Sequence, residues 1–201
     1  EGIANLIAFD MGGTTAKVGV VRDGVPRLAN EFAADRFVEG LDLGGYPIKS
    51  PSIDMIEIGA GGGSIARVDA AGVLKVGPRS AGAVPGPACY GRGGTSATIS
   101  DANLLLGRLP SNRPLAGGLR LDPDRAEAAF AELHAALGER AAASIQLAEG
   151  VLRIAVAKMA GAVREVSVHR GYDPRDFTLV GFGGAGPMHV LMGADELAIP
   201  R

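Results

Sequence analysis

Residues 3–22 read IANLIAFDMGGTTAKVGVVR. The apolar run 3–10 is too short for a helix and ends at Asp10 and the Gly12–Gly13 pair, which reads as a buried strand running into a tight turn. KVGVVR at 17–22 alternates as a second strand. Together they form a strand, glycine-rich turn, strand hairpin, with 11–16 turning the chain.

Working outward, 32–38 is a candidate third strand. Residues 53–59 and 64–68 read as strands around the AGGGS turn at 60–64, and DAAG at 69–72 leads into a hairpin partner at 73–76. From 77 to 94 the chain reads GPRSAGAVPGPACYGRGG. Proline and glycine at that density argue against helix and central strand, so a long ordered loop is expected, of a kind that is often functional. DANLLLGR at 101–108 predicts a short helix with Asp101 as N-cap. A helix over 124–137 is capped by Asp122 with Pro123 at its first position. Apolar residues at three- and four-residue spacing predict the longest helix over 141–169. Gly150 and Gly161 inside it imply a second backbone packed close by, since each costs about 1 kcal/mol relative to alanine. A strand over 175–182, the GGAGP turn and a helix over 187–197 complete an α/β pattern.

Composition narrows the function. Glycine, at 31 of 201 residues, runs well above the usual ~7% and gathers in short runs, which excludes a collagen repeat and suggests turns or close approach to a ligand. Twenty basic against 22 acidic residues give a net charge of −2, with no dense basic stretch, so nucleic acid is not an expected partner. No run reaches ~18 apolar residues, so no membrane span is expected. The single cysteine, Cys89, rules out an internal disulfide and suits a reducing, cytoplasmic setting. The chain opens on Glu1 and closes straight after a helical pattern, so it is expected to be a piece of a longer polypeptide.

Two motifs point to phosphate chemistry. In FDMGGTT at 9–15, Gly12 and Gly13 let several backbone N–H groups point one way as an anion nest, the hydroxyls of Thr14 and Thr15 add donors, and the Asp10 carboxylate suits a magnesium ion or an oriented water. A plain Asx-type turn joining two strands is the rival reading. In GFGGAGP at 181–187, Gly183, Gly184 and Gly186 sit between a strand and a helix start, where nucleotides commonly bind, although close helix–strand packing would also ask for small residues. The spacing is not that of a dinucleotide fold.

FDMGGTTAKVGVV at 9–21, EIGAGGGSIARVDAAGVLKVGPRSAGAVPGPACYGRGGT at 57–95, SDANLLLGRL at 100–109 and VGFGGAGPMH at 180–189 together resemble the hydantoinase A/5-oxoprolinase family over nearly the whole chain. The resemblance implies an actin-like ATPase (ribonuclease H-like) half-domain, a mixed sheet with flanking helices, of which residues 1–201 are the second ATPase lobe. An N-terminal lobe and a C-terminal remainder are then expected outside it. Asp10–Thr15 would be the second phosphate loop, Gly181–Gly186 the adenosine-side motif with Gly183, Gly184 and Gly186 bordering the adenosine, and 57–95 the substrate side. ATP and Mg2+ are the implied cofactors, Asp10 the implied metal contact, and a hydantoinase B-like subunit the implied partner in a hetero-oligomer. Members hydrolyse cyclic amides with ATP or serve ketone carboxylases, activating a carbonyl or enol oxygen by phosphorylation. A nucleotide-binding regulatory or chaperone-like module is the rival of another class.

Single residues divide between chemistry and structure. Asp101, after the glycine-rich loop, and His189, in the family's GPxH pattern, are candidate catalytic residues. Arg92, between glycines, could reach phosphate or a carboxylate. Asn103 reads as a neighbour of the helix cap, while Cys89, His134 and His169 read as structural. The family's His-Thr before GAGGGS is replaced by Glu57–Ile58, and no HxxxH or CxxC spacing exists, so a further divalent metal has no support.

Overall fold

Alternation of burial sets the central hairpin. The computed structural model describes residues 2–34, 37–38, 41–42, 46–138 and 143–200. In β1 (Leu6–Met11), Ile7, Phe9 and Met11 are buried; in β2 (Ala16–Arg22), Ala16, Val18 and Val20 are buried, the period-two signature of a strand with one face on a core. The two pair antiparallel with Asp10 opposite Lys17 and Met11 opposite Ala16.

Beyond β2 the chain folds back repeatedly on itself. β3 (Val25–Pro26) returns along β2. β4 (Leu28–Ala29), β5 (Phe32–Ala34), β6 (Phe37–Val38), β7 (Leu41–Asp42), β8 (Tyr46–Ile48) and β9 (Ser52–Ile53) then nest as antiparallel pairs, β4 with β9, β5 with β8 and β6 with β7. The strand expected over 32–38 falls on β5 and β6, with residues 35–36 outside the described residues.

β10 (Met55–Ile58) adds antiparallel to β2. β11 (Ser64–Val68) and β12 (Leu74–Ser80) form a separate two-stranded ribbon with a register shift between Ser64 and Ala66. β12 therefore runs four residues further than expected, through Gly77–Pro78 to Ser80. A ribbon strand has a free edge, and Pro78 can sit there without owing a ladder hydrogen bond. Finally β13 (Thr178–Phe182) pairs parallel with β1, giving the order β10-β2-β1-β13. That parallel pair needs a long crossover, and the helices supply it.

α1 (Ile99–Leu105) begins two residues earlier than expected. Thr98 is its N-cap and Asp101 sits at N3, closing a capping box, so Asp101 stabilises the start without being the cap itself. α2 (Pro123–Leu137) follows Asp122, whose carboxylate accepts the Asp124 and Arg125 N–H groups, as the sequence implies. α3 (Ser144–Val166) buries Leu147, Ala148, Val151, Leu152, Ala155, Met159, Ala162, Val163 and Val166 in one stripe, and packs on β2, β10, β12 and the other helices. Its glycines depart from expectation: a β-carbon at Gly150 or Gly161 meets nothing within 4 Å. α4 (Gly186–Leu197) follows β13 and packs on it and on α3. Among the described residues no helix is long and apolar enough to cross a membrane.

Candidate functional site

Three glycine runs far apart in sequence meet at the C-terminal end of β1. The turn between β1 and β2 closes with the Gly12 N–H donating to Thr15 O at 3.0 Å. The second run lies against it: Gly62 donates to Gly12 O at 3.0 Å and Gly63 to Gly13 O at 2.6 Å. The third run is tied to the strand itself, with Ala185 donating to Met11 O at 2.9 Å. α1 joins the layer through Ser100, which donates to Gly62 O at 2.8 Å.

Side-chain volume separates two kinds of glycine in this layer. A β-carbon at Gly61 would lie 2.5 Å from both the Gly13 carbonyl carbon and Thr14 N, and one at Gly62 2.8 Å from Ser100 Oγ. At Gly181 it would meet Val190 Cβ at 2.7 Å, and at Gly186 Phe9 O at 3.3 Å. At Gly183, where φ is +82°, it would collide with the Asp10 carboxylate and the Met11 carbonyl. Packing alone accounts for these five. Gly13 and Gly184 have nothing within 4 Å of a β-carbon, and Gly12 has only an ordinary contact with Thr15 O at 3.9 Å. Gly12, Gly13 and Thr14 are exposed, and neither the Gly13 nor the Thr14 N–H is bonded to another described backbone group. An open backbone edge of this kind is what an anion requires.

The structure thus brings together Asp10, Gly12, Gly13, Thr14, Thr15, Gly183, Gly184 and Gly186. It adds Lys17, which sequence reading passed over. Lys17 Nζ donates to Thr15 Oγ1 at 3.4 Å and pairs with Glu57 at 3.5 Å, the two standing opposite each other in the β2–β10 register. Its signal was available in the period-two pattern, since Thr15 and Lys17 fall on one face.

Other predicted residues are placed elsewhere. Asp101 is 0% exposed and its carboxylate is engaged by three donors: Cys89 N at 2.7 Å, Thr98 N at 2.9 Å and Thr98 Oγ1 at 2.7 Å. It pins the glycine- and proline-rich loop to α1, and it faces Cys89 instead of the open glycine edge. Cys89 is buried, and burial, together with the Asp101 charge, holds its thiol far above the ordinary range, as an inert core thiol requires. Arg92 is exposed between Gly91 and Gly93, both at positive φ.

His189 sits on the first turn of α4 but is 1% exposed, with Nε2 3.3 Å from Asn103 Nδ2 on α1. That amide also donates to Ile99 O, which makes Nε2 the acceptor. Burial first, then the Arg108 charge, lowers the imidazole pKa to about 4. The ring is neutral at physiological pH and turned into the helical layer. Its Nδ1 and the Asn103 Oδ1 are buried without partners among the described residues. Among those residues no group of three or more His, Cys, Asp or Glu side chains is arranged to hold a metal ion.

A hairpin-led mixed sheet, a parallel return strand and glycine turns gathered at the strand end define an α/β domain of the actin-like ATPase type. The chain belongs to the hydantoinase/oxoprolinase family, whose profile matches residues 1–201. It is 48% identical to an uncharacterized protein of Methanocaldococcus jannaschii, covering 96% of this chain and 28% of that one. It is 43% identical to the caprolactamase subunit alpha of Pseudomonas jessenii, over 98% of this chain and 27% of the relative. The crystal structure of that organism's ATP-dependent caprolactamase superposes with a TM-score of 0.82 at 42% identity, over 98% of this chain and 27% of that one. A nucleotide-free acetone carboxylase superposes with a TM-score of 0.83 at 28% identity, over 98% of this chain and 26% of that one. The chain therefore spans about a quarter of the length of these relatives.

Proposed function

We propose that this chain is one lobe of the ATP-binding module of an ATP-dependent cyclic-amide hydrolase, and that the open edge at Gly12–Thr15 holds the phosphates. That edge is the observation that carries the reading: Gly13 and Thr14 present N–H groups that are unbonded among the described residues, the threonine hydroxyls flank them, and Lys17 supplies a cation beside them. Asp10, half-buried at the end of β1 beside Gly183, would hold Mg2+ or orient a water. Gly184, open where Gly183 and Gly186 are packed, would border the adenosine side, and 57–95 would shape the substrate side.

ATP supplies the transferable phosphoryl group. The amide carbonyl oxygen attacks the γ-phosphorus, an O–P bond forms, the bond to the β-phosphate oxygen breaks and ADP leaves. Water adding to the activated carbon would give a tetrahedral centre from which the ring nitrogen, protonated, leaves as the C–N bond breaks. A second water would then split the resulting acyl phosphate into carboxylate and inorganic phosphate. The lobe's own part is positioning and charge neutralisation by its N–H groups, Lys17 and Asp10. Completion would need a first lobe and a hydantoinase B-like partner subunit, in the cytoplasm. A ketone carboxylase subunit is the second reading, favoured by the likeness to acetone carboxylase.

The deciding experiment is phosphate release by the full-length protein with its partner. Amide-stimulated release supports the hydrolase, whereas release that needs a ketone with bicarbonate supports the carboxylase. Asp10→Asn should abolish either while leaving the fold intact, and undiminished turnover would remove Asp10 from the site.

A further inference from the structure

A groove of about 300 Å³ opens between the β11–β12 ribbon and α2. Its floor includes the buried side chains of Ala129 and Leu133. Its polar lining is Arg67 and Arg79 from the ribbon, Thr95 and Ser96 from the end of the glycine- and proline-rich loop, and Glu132 from α2. Arg67 Nε is buried and has no hydrogen-bond partner among the described residues. A guanidinium N–H withdrawn from water without an acceptor is unfavourable, so the side chain gains by shifting its guanidinium toward an anion bound in the groove.

We propose that this groove binds a small carboxylate with a short aliphatic body, its anionic end on Arg67 and Arg79 and its carbons on the Ala129–Leu133 floor. Two guanidiniums against one carboxylate, Glu132, leave a single positive charge in excess, which suits a monoanion better than phosphate. The apolar floor asks for hydrocarbon, and Thr95 and Ser96 offer hydroxyl donors at the rim. Arg67, Arg79 and Thr95 lie in the 57–95 stretch given above to the substrate side, but none of these residues belongs to the layer of glycine turns, so the site stands whether or not the nucleotide reading does.

The test is calorimetric titration of the full-length protein, without nucleotide, using hexanoate as probe and hexylamine and inorganic phosphate as comparisons. Saturable hexanoate binding is expected, with none of hexylamine and weaker binding of phosphate. Arg67→Gln should weaken hexanoate roughly 10- to 100-fold, the loss typical of a charge-assisted hydrogen bond. Ser96→Trp, which fills the mouth and keeps Arg67, should abolish binding and serves if Arg67→Gln does not fold. No saturable binding by the wild type, as when an acidic side chain from elsewhere in the full chain fills the groove, overturns the proposal. Unchanged affinity in either folded variant, or phosphate bound as tightly as hexanoate, overturns it as well.

Discussion

Asp101 and Cys89 stand twelve residues apart, yet the Asp101 carboxylate accepts the Cys89 backbone N–H at 2.7 Å while its other oxygen takes both donors of Thr98. One buried side chain therefore closes the start of α1 and fastens the loop that precedes it. The loop is held from the other side as well, because Asp122, the cap of α2, donates its N–H to Cys89 O at 2.9 Å.

Replacing Asp101 by Asn keeps an acceptor for Cys89 but turns an amide N–H toward the Thr98 donors. The expected loss is about 2 kcal/mol, the cost of a buried donor left without an acceptor. Denaturant unfolding of the full-length protein measures it. A variant as stable as wild type would mean that the Thr98 bonds contribute nothing.

The glycine layer separates two substitutions that sequence alone treats alike. Gly61→Ala forces a methyl against the Gly13–Thr14 backbone and should cost about 1–3 kcal/mol as an overpacked site. Gly13→Ala meets nothing and has no positive φ, so stability should stay within about 0.5 kcal/mol. Its methyl does stand on the open edge, so ATP affinity should fall roughly ten-fold or more. Titration of nucleotide and an unfolding curve on the same two variants decide the matter, and unchanged affinity in Gly13→Ala would place the phosphates elsewhere.

Much of this was legible in residues 3–22, because strand alternation and a double-glycine turn are local signals. The helices over 123–137 and 144–166 were legible for the same reason: a proline-led cap and a long apolar stripe need no partner to be seen. What the sequence left open is non-local. Nothing around Gly61 says that it abuts Gly13, so packing glycines and open ones look identical until the runs are brought together. Asp101 read as an N-cap because Thr98 lies just outside the apolar run, and a capping box places its acidic residue at N3. His189 read as a site residue on its place after GGAGP, but the turn of α4 carries it inward onto Asn103.

Gly150 and Gly161 offer a prediction of opposite sign. Apart from the helix's own backbone and the neighbouring residues, no described atom lies within 4 Å of a β-carbon at either position, and neither has a positive φ. Alanine there should stabilise α3 by about 0.5–1 kcal/mol each, through helix propensity and a less flexible unfolded chain. An upward shift of the unfolding midpoint in the full-length protein is the expected result. A downward shift would reveal another segment of the full-length protein packed on this face.

Protonation of His189 makes stability depend on pH in a defined window. The unfolded chain takes up a proton as pH falls through about 6.5, whereas the buried ring in the fold resists it down to about 4. Unfolded molecules thus bind more protons between these values, and stability rises with pH there. The contribution is complete above about 6.5 and is lost as pH falls toward 4, by on the order of 3 kcal/mol at the limit. The hydrogen bond agrees in direction, since a protonated Nε2 would face the Asn103 N–H donor. His189→Gln lacks this titration, so its stability deficit relative to wild type should shrink as pH is lowered from 7.5 to 4.5. A deficit that stays constant across those conditions would mean that the imidazole is already charged, or solvated, in the fold.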